Sequence, residues 1–97
     1  MPYEVKLHRH VVKTLERMNP HRRARVMSGL RALRTDPYES RAGADIVGLR
    51  GTKEREDLFR LRIGDYRAVY AVVGKVVYVT DLFQRSWRVK GPRFPTS

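Results

Sequence analysis

Residues 58–73 read LFRLRIGDYRAVYAVV, and this stretch decides the fold. Apolar and polar side chains alternate on both sides of Gly64-Asp65, which is typical of two half-buried strands. A two-residue loop that begins with glycine suits a type II′ turn between antiparallel strands. The stretch therefore predicts a β-hairpin of defined register, in which Ile63 faces Tyr66, Arg62 faces Arg67 and Arg60 faces Val69.

Directly opposed residues of a hairpin share a face of the sheet, so this register separates two sets of side chains. The set predicted to cover the core is apolar and comprises Phe59, Leu61, Ile63, Tyr66, Ala68, Tyr70 and Val72. The opposite face carries Arg60, Arg62 and Arg67. Because like charges opposed across strands destabilise a sheet, we interpret the three arginines as a binding site for phosphate. The alternative is that they extend into solvent and pair with Asp65 or Glu56.

The chain on both sides of the hairpin extends the sheet. Residues 46–49 predict a short strand, and the charged residues 52–57 predict an exposed loop. After the hairpin, Gly74-Lys75 resembles the first turn and leads into a strand predicted at residues 76–83. Strict alternation assigns Val77, Val79 and Phe83 to the core, and Tyr78, Thr80 and Leu82 to the arginine side.

The first third of the chain predicts a strand and two helices. Residues 3–7 alternate as a strand does, whereas Val11, Val12, Leu15 and Met18 have the spacing of one helix face. Asn19 suits an N-cap and Pro20 the first position of a second helix, which ends at residues 35–37. Its apolar stripe is Val26, Met27, Leu30 and Leu33, and its outer face carries Arg22, Arg23, Arg25, Arg31 and Arg34. The order β-α-α-β-β-β-β predicts an α+β fold, an antiparallel sheet with an N-terminal helical hairpin packed on one face.

Length and composition limit the class of protein. With 97 residues we expect a single domain over 1–97, and the proline-containing residues 91–97 predict an irregular tail. Without cysteine the chain has neither a disulfide framework nor a thiolate zinc site. No apolar run approaches the ~20 residues of a membrane span and no secretory signal is evident, so we expect a cytoplasmic protein with no membrane partner.

Charge indicates the partner. Lysine and arginine number 21 against 10 acidic residues, a formal net charge of +11, which favours binding to a polyanion such as nucleic acid or the ribosome. Beyond the last strand, Arg85, Arg88 and Lys90 surround Trp87, a pattern that suits single-stranded RNA. The alternative for Trp87 is a hydrophobic anchor for the tail. His8, His10 and His21 lie outside metal-ligand spacings and are interpreted as surface residues of the helical hairpin, so neither a metal nor a cofactor is predicted.

Two motifs resemble a known family. LRG at residues 49–51 and FRLRIGDYRAVY at residues 59–70 are similar to sequences of the RelE/ParE superfamily of toxin–antitoxin toxins, RelE-like branch, over residues 3–90. The resemblance implies the RelE-like microbial RNase fold and a ribosome-dependent mRNA endoribonuclease that needs no cofactor. Such an enzyme cuts mRNA in the ribosomal A site by attack of the 2′-OH on the adjacent phosphate. The implied partners are a 70S-type ribosome with its rRNA and mRNA, and an acidic cognate antitoxin from an adjacent gene. The toxin would be a monomer or part of a heteromeric toxin–antitoxin complex.

The resemblance also implies roles for particular residues. The catalytic arginines of the family fall on Arg60, Arg67 and Arg85, which would stabilise the phosphorane. Leu58 stands where the family has a second lysine, for which Arg62 would compensate, and no tyrosine follows Arg85. Glu54, Glu56 or Asp57 are candidate bases in the preceding loop. Residues predicted to bind RNA are Arg50, Lys53, Arg62, Trp87, Arg88 and Lys90, and those predicted to bind rRNA are Arg22, Arg23, Arg25 and Arg31.

Two other functions remain open. One is a ParE-like inhibitor of DNA gyrase, and the other is a catalytically degenerate module that binds ribosomes or RNA. Retention of Arg60, Arg67 and Arg85 favours the ribonuclease, whereas the absence of a C-terminal tyrosine keeps the degenerate module open.

Overall fold

The fold is known from a computed structural model that describes residues 2–49 and 58–84. Predicted site residues Arg50, Lys53, Arg85, Trp87, Arg88 and Lys90, and the candidate bases Glu54, Glu56 and Asp57, lie outside this part. Its elements are β1 (Glu4–Leu7), α1 (Arg9–Glu16), α2 (Pro20–Ala32), β2 (Asp45–Leu49), β3 (Leu58–Ile63), β4 (Tyr66–Val73) and β5 (Val76–Gln84). The strands form one sheet in the order β1-β5-β4-β3-β2. The predicted α+β class and element order are confirmed.

One pairing differs from the fully antiparallel sheet that we predicted. β1 runs parallel to β5, with Val5 beside Val77 and Leu7 beside Val79. A tight turn forces its two strands to be antiparallel, but β1 and β5 lie at opposite ends of the described chain and share no turn. Their relative direction follows from the path of the chain through the helices, which no local pattern reveals.

The central hairpin has the predicted register. Ile63 pairs with Tyr66, Arg62 with Arg67 and Arg60 with Val69. The turn glycines, Gly64 and Gly74, have φ angles of 57° and 62°, and no other residue type in the described ranges has a positive φ. A positive φ at the first turn position alone is the pattern of a type II′ turn.

A β-bulge changes the second half of β5. The pairing shifts between Val69 and Tyr70, so that Val69 lies opposite Asp81 while Tyr70 lies opposite Val79. Thr80 is therefore an extra residue, and from this point the alternation is reversed. Leu82, which we predicted on the arginine side, is in the core with 3% of its surface exposed. Phe83, which we predicted in the core, lies on the arginine side opposite Arg67.

The two helices cover the other face of the sheet, and their termini form largely as predicted. Asn19 caps α2 through its Oδ1 atom, which accepts from the backbone N–H of Arg22 at 2.8 Å, and Pro20 is the first helical residue. The prediction that Val12 belongs to the buried stripe of α1 is wrong, because 37% of its surface is exposed. Gly29 allows α2 to approach β3 closely, since a Cβ atom there would lie 2.8 Å from Cδ1 of Ile63.

Tyr70 connects the core to the loop after α2. The ring is buried and stacks on Phe59 with 5.5 Å between centroids. Its hydroxyl donates to the carbonyl oxygen of Pro37 at 2.7 Å, and Pro37 is buried too. Burial raises the pKa of the Tyr70 hydroxyl well above its usual value, so the group acts as a fixed donor.

This hydrogen bond gives the first testable prediction. We expect Tyr70→Phe to lower the free energy of unfolding by about 1–3 kcal/mol, because the buried Pro37 carbonyl loses its donor and water cannot replace it. Urea denaturation measures the change. Tyr78→Phe removes an equivalent hydroxyl from an exposed tyrosine and should change stability by less than about 0.5 kcal/mol. Equal stability of the two variants would contradict the prediction.

Candidate nucleic-acid interface

Three arginines meet on the face of the sheet that the helices leave open. Arg60 and Arg62 lie on β3 and Arg67 on β4, and the observed register puts all three on one side, which we name the arginine face. Arg62 and Arg67 are directly opposed on neighbouring strands. Side chains in this arrangement are close enough to interact. The predicted grouping of these arginines is thus present in the structure.

Apolar residues flank the arginine face. Arg60 lies opposite Val47 on one neighbouring strand and Val69 on the other. The Nε atoms of Arg60 and Arg67 are both shielded from solvent, and Nε of Arg60 has no hydrogen-bond partner among residues 2–49 and 58–84. No carboxylate in those ranges forms an ion pair with Arg60 either. A cation in such surroundings attracts a phosphate more strongly than one fully exposed to water does.

Arg62 has an acidic partner on the neighbouring strand β2. Its Nε atom lies 3.4 Å from Oδ2 of Asp45, and both side chains are about half exposed. Exposed ion pairs of this kind contribute about 0–1 kcal/mol to stability. The pair therefore offsets the charge of Arg62 but holds its side chain only weakly. The partner is Asp45 on β2, and the alternative that we considered from the sequence, Asp65, forms no ion pair with a described residue.

The bulge adds Phe83 to the arginine face, which alternation alone failed to predict. Phe83 lies opposite Arg67, and Asp81 lies two residues earlier on the same side. One feature of the sequence argues against unbroken alternation. Unbroken alternation that buries Phe83 also buries Asp81, and an isolated carboxylate in a core is too costly to be tolerated.

The arginines of α2 and of the residues just after it fall into two groups. Arg22, Arg25, Arg31 and Arg34 are exposed, as predicted. The prediction that Arg23 lies on the outer face is wrong, because its guanidinium reaches back to α1. Its Nε and one terminal nitrogen each donate at 3.0 Å, to the carbonyl oxygens of Leu15 and Met18 respectively. Leu15 is in the last turn of α1, where carbonyls lack the regular helical partner, and its oxygen accepts from Arg23 in addition to the backbone N–H of Met18.

We therefore expect Arg23 to act on stability and not on rRNA binding. Arg23→Ala should lower the free energy of unfolding by about 1–3 kcal/mol, since two part-buried carbonyls lose a charged donor. Thermal or urea unfolding measures this loss. Arg22→Ala is the matched control, because Arg22 is exposed on the same helix and its removal should change stability by less than about 0.5 kcal/mol. An Arg23→Ala variant as stable as Arg22→Ala would refute the assignment.

A histidine and a carboxylate meet beside the arginine face. Nε2 of His10, near the start of α1, lies 3.5 Å from Oδ1 of Asp81 on β5. His10 is exposed, as expected for a surface residue of the helical hairpin, but its proximity to Asp81 depends on tertiary structure and could not be predicted. The pair borders a groove of about 530 Å³ that is also lined by Arg17, Tyr66, Phe83 and Gln84. We name this space the β5-edge groove.

The described ranges contain neither a cluster of metal ligands nor a membrane-spanning helix. No three histidine, aspartate or glutamate side chains there lie close enough together to hold a metal ion. No helix among these residues is long and apolar enough to cross a membrane.

Comparisons with known proteins agree with the fold and the length of the chain. No protein-family model matches. The putative toxin RelE1 of Methanocaldococcus jannaschii is 27% identical over 94 residues, which cover 95% of this chain and all of that protein. The archaeal RelE–RelB complex from Pyrococcus horikoshii OT3 contains a chain that is 36% identical with a TM-score of 0.74, covering 88% of this chain and 97% of that one. The toxin–antitoxin complex RelBE2 of Mycobacterium tuberculosis, at 23% identity, TM-score 0.67 and coverage of 88% and 100%, shares the fold.

Proposed function

The chain belongs to the RelE toxin family, and on this premise we propose that it is a ribosome-dependent mRNA endoribonuclease, the toxin of a toxin–antitoxin system. The observation that carries the proposal is the arginine face, where Arg60 and Arg67 lie on adjacent strands beside apolar residues. Stability alone does not explain such a cluster, because Arg62 and Arg67 repel each other across the strands. A bound phosphate does explain it.

The proposed reaction is an internal displacement in RNA. The ribose 2′-OH attacks the adjacent phosphorus, the bond to the 5′-oxygen breaks, and the products are a 2′,3′-cyclic phosphate and a 5′-OH. The nucleophile is part of the substrate, so the proposed reaction uses no cofactor. Arginine keeps its proton at any accessible pH and cannot take the proton of the 2′-OH. Arg60 and Arg67 therefore serve to stabilise the charge of the phosphorane, together with Arg85 by family resemblance.

In this proposal positive charges other than Arg60 and Arg67 serve to bind the ribosome and the mRNA. Arg22, Arg25 and Arg31 are exposed on α2, which supports their proposed role in binding rRNA phosphates, whereas Arg23 is left out of this role because it binds a carbonyl of α1. Contacts to the mRNA are assigned to Arg62 and to five residues outside the described ranges, Arg50, Lys53, Trp87, Arg88 and Lys90. Each phosphate contact of this kind makes the binding affinity fall more steeply as the salt concentration rises. The proposal places the protein in the cytoplasm, where ribosomes translate.

The proposed regulator is a cognate antitoxin. The 36% identical chain of Pyrococcus horikoshii comes from a RelE–RelB complex, which supports a RelB-like partner for this chain. With a net charge of +11, the protein favours an acidic partner that covers the arginine face and thereby blocks access to mRNA.

The test of this function is to map the 5′ ends of an mRNA in a purified translation reaction. We expect new 5′-OH ends at A-site codons when protein and ribosomes are both present, and none when ribosomes are left out. Intact mRNA together with inhibition of DNA gyrase would instead support the ParE-like function. Intact mRNA with salt-dependent ribosome binding would support the degenerate binding module.

A further inference from the structure

His10 and Asp81 meet at an open edge of the sheet. β1 pairs only with the first half of β5, from Val76 to Val79, so that among the described residues the second half has a neighbour on one side only. α1 packs beside this edge and brings Nε2 of His10 to 3.5 Å from Oδ1 of Asp81. Both side chains are about half exposed, so a ligand in solution can reach them.

The pair lies close to the arginine face. Asp81 and Phe83 are on that face, where Phe83 is directly opposite Arg67. The β5-edge groove touches His10, Asp81 and Phe83 together, so a ligand in the groove lies beside both the imidazole and the residue that pairs with Arg67. At about 530 Å³ the groove is within the range of small-molecule sites, about 300–1,000 Å³, and can hold a nucleotide.

The chemistry of the proposed reaction requires a group of this kind. Arginines can hold a phosphate but cannot remove the proton of the 2′-OH. Histidine is the side chain that ordinarily exchanges a proton near neutral pH, and a carboxylate on one ring nitrogen fixes the tautomer and leaves the other nitrogen free to accept. The other described histidines do not fit. Nδ1 of His8 accepts the backbone N–H of His10 as the N-cap of α1, and His21 is exposed near the start of α2.

We propose that His10 is the general base of the cleavage reaction, that Asp81 is the residue that positions it, and that the β5-edge groove holds the ribose whose 2′-OH attacks. This inference rests on the proposed function. Nδ1 of neutral His10 takes the 2′-OH proton as the O2′–P bond forms and the P–O5′ bond breaks. The leaving 5′-oxygen takes a proton from water, and His10 returns its own proton to water, so the step consumes no oxidant, reductant or metal. The charged and titratable groups around the imidazole and the groove are Asp81 from β5, His8 and Arg17 from the two caps of α1, and Tyr66 from β4.

The decisive experiment measures single-turnover cleavage of mRNA in programmed ribosomes between about pH 5.5 and 8, the range in which histidine ordinarily titrates. The wild-type rate should rise with pH and then level off. His10→Gln should cleave at least about 100-fold more slowly at pH 7 and should lose the rising limb. Asp81→Asn should lower the maximal rate without raising the ribosome concentration for half-maximal rate, and Asp81→Glu should recover part of the loss.

Controls separate this inference from folding and from the proposed function. Circular dichroism confirms that each variant is folded, and His21→Gln, an exposed histidine on α2, should cleave at the wild-type rate. If Arg67→Ala is inactive while His10→Gln keeps the wild-type pH profile and a rate within about threefold, the inference is overturned and the proposed function stands. If the wild-type protein leaves mRNA intact, both are overturned.

Discussion

Arg67→Ala is expected to lower the single-turnover rate of mRNA cleavage on the ribosome by about 100- to 1,000-fold, the usual effect of removing one donor that stabilises a developing charge. Arg67 is placed for this role by the hairpin register, which puts it in the middle of the sheet on the same face as Arg60 and opposite Phe83. The measurement is quantitative mapping of 5′-OH ends in a translation reaction with excess protein.

Two variants of the arginine face make this test specific. Arg62→Ala removes the same charge from the position directly opposite Arg67, but Arg62 already forms an ion pair with Asp45, so we expect a loss of less than about tenfold. Arg67→Lys keeps the charge and loses the two-pronged grip on phosphate, and its rate should lie between those of the wild type and Arg67→Ala. Equal losses for Arg62→Ala and Arg67→Ala would mean that the face acts through total charge alone.

Ribosome binding should respond differently from cleavage. Removal of one arginine changes a binding interface with many phosphate contacts by a single contact, so Arg67→Ala should still sediment with ribosomes at low salt. The expected separation of binding from chemistry distinguishes a nuclease from a binding module. In a module that only binds, Arg67 would be no more important than any other arginine on the surface.

The parts of the structure that could be predicted from the sequence are those determined by neighbouring residues. The register of the central hairpin follows from Gly64-Asp65, because a two-residue turn leaves one way to pair the strands, and the three arginines of the arginine face follow from the register. The cap of α2 follows from Asn19 and Pro20 for the same reason. Each of these features depends on interactions over a few residues.

The parts that could not be predicted depend on contacts between distant segments. The parallel pairing of β1 with β5 has no signal in either strand. Arg23 resembles the other arginines of α2 in sequence, and only the position of α1 shows that its guanidinium binds two carbonyls. The pairing of His10 with Asp81 requires both the helix packing and the bulge, and it is the feature of the candidate site that sequence reasoning was least able to find.

The bulge at Thr80 leads to the second large prediction, which concerns stability. Leu82→Ala should lower the free energy of unfolding by about 2–5 kcal/mol, because Leu82 is in the core and its truncation leaves a cavity. The loss is large compared with the total stability of a small domain, about 5–15 kcal/mol. Urea denaturation at equilibrium measures it, and a shift in the midpoint with an unchanged slope identifies a change in stability.

Phe83→Ala is the matched comparison. Phe83 is next to Leu82 and is larger, so its truncation would lower the free energy of unfolding more if both side chains were buried. Unbroken alternation along β5 predicts that order, with Phe83 in the core and Leu82 outside. The observed bulge predicts the reverse, because Phe83 lies on the arginine face and is only partly buried. A greater loss of stability for Phe83→Ala than for Leu82→Ala would contradict the bulge. It would also contradict the placement of Asp81 on the face where it meets His10. The stability measurement on β5 therefore tests the geometry on which the proposed base depends, without requiring the enzyme to be active.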